Sequence, residues 1–313
     1  MEVEKAQSKP IFTIIIPTKE RTTLLRRALL SLIRQNFTQF EVLVVDDHSL
    51  DSPANMIDEL EDASIILHVN TGTERSAARN AGMAKAKGEF ICFLDDDDEV
   101  SPEYLSDFYN AIQKSEKGKY IYRTGYLKCF ENGRKIKGPM YNEPKSQNEF
   151  RFVLTEFCGC WSLCFPAEIK DECNFDPRFP HWQDTHFIIK VLLAGYEMIQ
   201  LPGYNYHYHY HDLMGSKNIF DSSIVCERLR LNLAAFEDIE VNHAEVAGFA
   251  EDPLIFSRLK AEKCLEYANS NLYYSDGKKA WRILSMSLKY GVFFNLFKNY
   301  LRFIYYSLRN FRS

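Results

Sequence analysis

The first 120 residues predict an α/β fold built on a mostly parallel sheet, and three observations carry that prediction. Short apolar runs alternate with segments whose apolar residues recur at helical spacing, which is the signature of βαβ units. The polar clusters fall at the carboxyl ends of those runs, where open α/β sheets bind their ligands. At 313 residues and 46% hydrophobic content, the chain can bury a sizeable core around such a sheet.

Ile11 to Ile16 reads as the first strand. Thr22 or Thr23 then caps a helix whose apolar face is Leu24, Leu25, Ala28, Leu29, Leu32 and Ile33. Glu41 to Asp46 is the second strand, Ser64 to Val69 the third and Phe90 to Leu94 the fourth. Ser76 to Lys87 is an alanine-rich helix, with Gly88 placed to close it in a left-handed cap. Ser101-Pro102-Glu103 has the form of a helix start, Ser as N-cap and Pro at the first helical position. After Lys117-Gly118-Lys119 the pattern changes: a strand over Tyr120 to Cys129 leads into a polar hairpin or loop, Glu131 to Asn148. Cys160 to Phe165 reads as a further strand, followed by the turn Asn174-Phe175-Asp176-Pro177 and a helix over Gln183 to Ala194 that ends at Gly195. From Ser216 onward only helical patterns are seen. The expected organisation is a tail at 1–10, an α/β domain at 11–215 with halves 11–119 and 120–215, and a helical region at 216–313.

A net charge of -5 argues against a nucleic-acid partner, since such proteins usually carry a basic balance. Met1 to Pro10 is polar with no apolar core of a secretory signal, so the sequence predicts a cytoplasmic protein. The eight cysteines are then expected to stay reduced. Cys158, Cys160, Cys164 and Cys173 lack the paired spacing of a structural zinc site and read as buried thiols.

The chemistry concentrates in Asp95-Asp96-Asp97-Asp98, delivered by the apolar run Phe90-Ile91-Cys92-Phe93-Leu94. A helix cap needs one acid and not four, and oxygen-only donors suit a hard divalent cation, Mg2+ or Mn2+. Pro17-Thr18-Lys19-Glu20-Arg21 ends the first strand and Val44-Val45-Asp46-Asp47-His48-Ser49 ends the second. Neither is a G-x-G-x-x-G and no P-loop lysine is present, which disfavours a nicotinamide enzyme or an NTPase. Carboxylates at strand ends can instead hydrogen-bond a nucleoside base and ribose.

Taken together, these motifs resemble the inverting family-2 glycosyltransferases over roughly Phe12 to Ser216. The resemblance implies a GT-A type nucleotide-diphospho-sugar transferase fold with a C-terminal helical extension. The family's P-x-Y-N-R is matched by Pro17-Thr18-Lys19-Glu20-Arg21 with departures at Lys19 and Glu20; V-V-D-D-x-S and S-x-A-R-N-x-G are intact, the latter as Ser76-Ala77-Ala78-Arg79-Asn80-Ala81-Gly82. By resemblance, Pro17, Thr18, Arg21, Asp46, Asp47, Arg75, Arg79, Asp95 and Asp96 would bind the nucleotide. Asp97, with Asp95 and His209, would hold the metal. Asp96 and Asp98 remain alternative ligands, because four acids in a row allow the register to slip. The family's E-D pair is Gln183-Asp184 here, which makes Asp184 the expected catalytic base and Gln183 a departure. Tyr204 to His211 places His207, His209 and His211 on one side if extended, and a triple-histidine zinc site is the rival reading of that strand.

The implied activity is metal-dependent transfer of a sugar from a nucleoside-diphosphate donor, UDP-linked, to a hydroxyl of a glycan or lipid-linked acceptor. The alternatives are a nucleotidyltransferase acting on sugar phosphates, disfavoured by the lack of a glycine- and arginine-rich triphosphate loop, and a non-catalytic sugar-nucleotide-binding protein, favoured only by Gln183. Finally, Gly277 to Ser313 contains no Asp or Glu while Lys278, Lys279, Arg282, Lys289, Lys298, Arg302, Arg309 and Arg312 are basic among many aromatics. This composition predicts an interfacial helix on an anionic membrane, peripheral on its inner face, or else a packing element.

Overall fold

The computed structural model describes residues 9–141, 149–155, 158–211, 222–243, 254–273, 277–291, 299–301, 303–304 and 307, in two compact units, 1–211 and 212–313. In the first unit the chain runs β1 (Phe12–Thr18), α1 (Thr22–Ile33), β2 (Phe40–Asp46), α2 (Ala54–Asp58), β3 (Ile65–Val69), α3 (Glu74–Lys85), β4 (Phe90–Phe93), β5 (Glu99–Val100) and α4 (Tyr104–Lys114). It continues through β6 (Tyr120–Arg123), β7 (Tyr126–Phe130), β8 (Lys135–Lys137), α5 (Glu149–Thr155), β9 (Leu163–Pro166), α6 (Ile169–Glu172), α7 (Gln183–Leu193), β10 (Glu197–Gln200) and β11 (Tyr206–Tyr210).

Seven strands form the main sheet in the order β10-β6-β9-β4-β1-β2-β3, and β5-β11-β7-β8 form a second. Every pairing in the main sheet is parallel except those of β9 with β4 and β6. The chain steps outward from β1 to β2 and β3, then returns to lay β4 on the other side of β1. That reversal makes the carboxyl ends of β1 and β4 the topological switch point, where open α/β sheets bind their ligands. The loops after these two strands are Lys19-Glu20-Arg21 and the acid run.

All seven residues of β1 are buried, as a strand covered on both faces must be. On one face Phe12, Ile14 and Ile16 join Leu25, Ala28, Leu29 and Leu32 of α1 in the core. On the other, α3 approaches so closely that a Cβ at Gly82 would lie 2.5 Å from Ile15 Cγ2. The buried polar residue of the strand is satisfied: the Thr13 hydroxyl donates to Glu41 Oε1 at 2.7 Å and accepts the Gly88 amide at 2.9 Å.

Several expectations are corrected in detail. Gly88 does not close α3 in a left-handed conformation; the helix ends at Lys85, and Gly88 is required because its backbone packs on that of β1. The expected strand over Tyr120 to Cys129 is two strands in different sheets, broken where the Thr124 amide turns to Ser162 O and the Gly125 amide to Gly203 O. The first residues of the expected Cys160 to Phe165 strand form a 3-10 turn, Cys160–Ser162. Ser101 is not an N-cap, since its hydroxyl bonds Asn205 and α4 starts at Tyr104. Gly195 does close α7 with a positive φ of 86°. The Glu131 to Asn148 segment begins as a β7–β8 hairpin, and its end, 142–148, lies outside the described residues.

In the second unit, α8 (Ser222–His243), α9 (Ile255–Tyr273) and α10 (Gly277–Tyr290) bury a core of Leu229, Leu233, Ala261, Cys264, Leu265, Ala268, Ala280, Ile283 and Leu284, joined by Tyr300 and Phe303. Among the described residues no helix is long and apolar enough to cross a membrane. Cys92, Cys129, Cys158, Cys160, Cys164, Cys173 and Cys264 are free and buried, as expected of reduced thiols.

The Gly88 packing is testable. An added Cβ would lie 2.6 Å from the Thr13 amide nitrogen and 2.7 Å from the Phe12 carbonyl carbon, backbone atoms with nowhere to go. Gly88→Ala should therefore cost about 1 to 3 kcal/mol, read as a lower urea midpoint at unchanged slope. A midpoint equal to that of the parent protein would contradict this role.

Candidate active site

The loops and helix starts near the acid run hold unusual backbone. Glu20, His48, Glu74 and Trp182 all have positive φ, 54°, 60°, 78° and 81°, although none is glycine. Such conformations persist only where surrounding contacts over-determine them. For the loops after β1 and β2 those contacts are visible. The Glu20 amide donates to Ser49 Oγ at 2.8 Å and the Leu50 amide to Glu20 Oε1 at 2.6 Å, while the Ser49 hydroxyl donates to Asp46 Oδ1 at 2.5 Å. Asp46 is thus the anchor of the β2 loop. Beside it, buried Asp47 accepts from Asn70 Nδ2 at 2.9 Å, Lys19 Nζ at 3.1 Å and the Glu74 amide at 3.2 Å. Burial would push its carboxyl up, but these donors outweigh that and hold it below the usual range.

The four acids after β4 are each answered by different groups. Asp95 accepts from Arg79 Nη2 at 2.8 Å. Asp96 is turned toward β1, taking the Thr18 hydroxyl at 2.8 Å and Arg21 Nη1 at 3.1 Å. Asp97 takes Arg21 Nη1 at 2.8 Å and faces His211 Nε2 at 3.3 Å; its backbone carbonyl accepts from Arg27. Asp98 accepts the Tyr206 hydroxyl and the His209 amide, both at 2.7 Å. Burial and the neighbouring Asp97 push the Asp96 carboxyl up to about 6, and burial with Asp97 and Asp95 alongside pushes Asp98 well up. Carboxylate oxygens of Asp95, Asp97 and Asp98 lie within 4.8 Å of one another. Three hard oxygen donors at that spacing fit a Mg2+ or Mn2+ ion, which completes its shell from water and phosphate.

On the other side of Arg79 stands Asp184, at the first turn of α7 and a quarter exposed (24%). Its Oδ1 accepts from Cys160 Sγ at 3.2 Å and lies 3.5 Å from Arg79 Nη1. Arg79 is only 1% exposed and lies over the Phe175 ring, so one guanidinium bridges the acid run and Asp184. Burial raises the Asp184 pKa, an effect partly offset by Arg79. The adjacent Gln183 is buried and accepts the Ser76 hydroxyl at 2.6 Å, tying α7 to α3.

The residues expected at the site thus occupy distinct places. Pro17 and Thr18 are buried at the end of β1. Arg75 is exposed on α3, near enough to Asp184 for its charge to favour the ionised form. The His209 ring is directed to Glu99, Nε2 to Oε2 2.7 Å, and the imidazole facing the acid run is that of His211, in the same Tyr/His alternation. The triple-histidine zinc reading has no counterpart: among the described residues the one group of potential metal donors is the aspartates. Sequence reasoning missed Tyr206, whose hydroxyl also accepts the Asp95 amide at 3.3 Å and whose ring stacks on Trp161. It also missed Arg27 and the Cys160 contact, for which the sequence carries no local signal.

Comparison with known proteins identifies the family and the fold. The sequence pattern described as Glycosyl transferase family 2 matches residues 13–168. The chain is 30% identical over 198 residues to WcaA of Escherichia coli K12, named for colanic acid biosynthesis, covering 60% of this chain and 68% of that protein. It is 28% identical over 177 residues to the GalNAc(5)-diNAcBac-PP-undecaprenol beta-1,3-glucosyltransferase of Campylobacter jejuni, covering 54% of this chain and only 56% of that protein. Among solved structures, S. aureus TarS 1-349 in complex with UDP-GlcNAc shares the fold with a TM-score of 0.58 at 15% identity, covering 89% of this chain and 88% of that one. The mannosyltransferase PcManGT of Pyrobaculum calidifontis, in complex with GDP-Man and Mn2+, does so with a TM-score of 0.55 at 16% identity, covering 97% and 88%.

The raised Asp96 carboxyl has a consequence for stability. A carboxyl whose folded pKa stands above its unfolded value binds its proton more tightly when folded, so stability falls as pH rises from near 4 to about 6 and then stays at the lower level. In chelator, Asp96→Asn should gain up to about 3 kcal/mol on the parent protein between pH 4 and pH 7.5. Urea unfolding of both proteins at the two pH values reads this directly, and a pH-independent difference would refute it.

Proposed function

Since this chain belongs to glycosyl transferase family 2 and is a glycosyltransferase, we propose that it moves a sugar from a UDP-linked donor to a hydroxyl of a glycan or lipid-linked acceptor, with inversion at the anomeric carbon. The observation that carries this reading is the Arg79 bridge, which holds Asp184 one guanidinium away from the acid run. Inversion would then require the diphosphate at Asp95, Asp97 and Asp98 and the acceptor hydroxyl at Asp184 to approach the transferred ring from opposite sides. Asp184 takes the acceptor proton as the acceptor oxygen attacks; burial raises the carboxyl's basicity, an effect that Arg79 partly offsets. The Cys160 thiol donates to Oδ1, which leaves the second carboxylate oxygen to face the acceptor.

Asp95, Asp97 and Asp98 would hold Mg2+ or Mn2+, which when bound supplies charge neutralisation to the departing diphosphate. Asp47 and Asp46, at the end of β2, are proposed to meet base and ribose, with Pro17 and Thr18 lining the same pocket. The UDP assignment draws support from the TarS complex with UDP-GlcNAc, and the metal from PcManGT with Mn2+. A lipid-linked acceptor draws support from the C. jejuni relative, whose name contains PP-undecaprenol. Gln183, the departure from the family's acidic pair, is a tie between helices and leaves Asp184 in place.

Membrane attachment fits the same acceptor class. The solvent face of α10 presents Trp281, Met286 and Leu288 among Lys278, Arg282 and Lys289, with no acid in the helix. An apolar band edged by cations suits the headgroup region of an anionic leaflet.

Two experiments bear on these proposals. Asp184→Asn keeps size and hydrogen-bonding reach but removes basicity, so UDP-sugar binding should persist while transfer falls at least about 100-fold. Near-normal transfer refutes the base; parallel loss of binding and transfer marks a helix cap instead. For the membrane, the full chain should co-sediment with phosphatidylglycerol vesicles at 0.1 M salt and be released at 1 M, where the Debye length falls from about 10 Å to about 3 Å. Reversing exposed charges, Arg282→Glu with Lys289→Glu, should abolish sedimentation, and a double variant that sediments as before removes α10 from the membrane.

A further inference from the structure

Two arginines pair with side-chain carboxylates of the acid run, and they are held differently. Arg79 is enclosed, its guanidinium shared by Asp95 and Asp184 and backed by Phe175. Arg21 comes from the loop after β1, just past the left-handed Glu20 and at the start of α1, and its side chain is 21% exposed. Its single nitrogen Nη1 sits between two carboxylates, 3.1 Å from Asp96 Oδ1 and 2.8 Å from Asp97 Oδ2. The oxygen it holds on Asp97 belongs to the carboxylate that converges with Asp95 and Asp98. A guanidinium and a divalent ion on the same carboxylate compete, because the two cations repel one another at contact distance.

We propose that Arg21 is an internal counter-ion for Asp97 that a divalent metal displaces, and that the displaced guanidinium turns to the donor's diphosphate. This rests on the metal reading given above. Without metal, four adjacent carboxylates need a positive charge in their midst, and Arg21 supplies it from within the chain. With metal bound, that charge becomes redundant at the aspartates while the nucleotide brings in two phosphates beside the same loop. A planar fork with five donors suits this second position, pairing two phosphate oxygens at once. Arg21 thereby opposes the metal when it arrives alone and favours it when it arrives with nucleotide, so the two ligands reinforce each other.

The experiment titrates Mn2+ into the full chain and follows free Mn2+ by electron paramagnetic resonance, first alone and then with UDP or GDP. Arg21→Gln should bind Mn2+ alone several-fold more tightly than the parent protein, and under saturating Mn2+ should bind the nucleoside diphosphate several-fold more weakly. Arg21→Lys, which keeps the charge without the fork, should match the parent for Mn2+ alone and still lose nucleotide affinity. Because removing a counter-ion stresses the apo fold, the melting temperature of Arg21→Gln is read in parallel, and it should rise more on Mn2+ addition than that of the parent. Equal or weaker Mn2+ binding by Arg21→Gln overturns the proposal while leaving the metal site intact. Absence of Mn2+ binding in both the parent protein and Asp97→Ala, with nucleotide present, overturns the metal reading and the proposal together.

Discussion

Four carboxylates in succession at the end of a buried strand repel one another, and the first unit is arranged around answering that repulsion. Each acid is met by a group from a different part of the chain: Asp95 by α3, Asp96 by the end of β1, Asp97 by the β1 loop and the residue after β11, and Asp98 by β11 itself. None of these partners is local in sequence. The acid run therefore fixes the relative placement of the two sheets, since β11 and β5 belong to the second while β1 and β4 belong to the first. Burying charge is costly unless it is paired and hydrogen-bonded, so loss of a partner is felt by the whole edge.

The same logic explains where the backbone is strained. Glu20 and His48 lie in loops and Glu74 and Trp182 at the starts of α3 and α7, and the hydrogen bonds among Glu20, Ser49, Leu50 and Asp46 offset the cost for the two loops. Rigid loops of this kind aim functional groups without relying on substrate to order them.

Much of this was legible in the chain because it rests on periodicity. The runs that become β1 to β4 and the helices α1, α3 and α7 show their spacing openly, and the acid run announces a strand end. Elsewhere the local signal misleads. Tyr120 to Cys129 reads as one strand interrupted only by Gly125, yet the chain leaves one sheet for the other at Thr124 and Gly125, where Ser162 and Gly203 offer carbonyls that only the fold brings near. Gly88 looks like a helix cap, but the contact that demands it is with β1. At the site the alternation over Tyr204 to His211 pointed to the right strand, but which histidine faces Asp97 depends on Glu99 taking the His209 ring. Cys160 and Tyr206 act through residues distant in sequence, so no motif reveals them.

The Ser76–Gln183 bond carries a further consequence when charges are counted around Arg79. That guanidinium has one positive charge and already serves two carboxylates, Asp95 and Asp184. An acid at position 183 would add a further buried carboxylate next to Asp184, held to α3 through Ser76, one turn before Arg79. The neutral amide accepts the same hydrogen bond while leaving the local ledger at two negatives to one positive. Asp184 thus competes with one anion rather than two for its stabilising cation, so the carboxylate at the start of α7 is answered with fewer charges than an acidic pair would require.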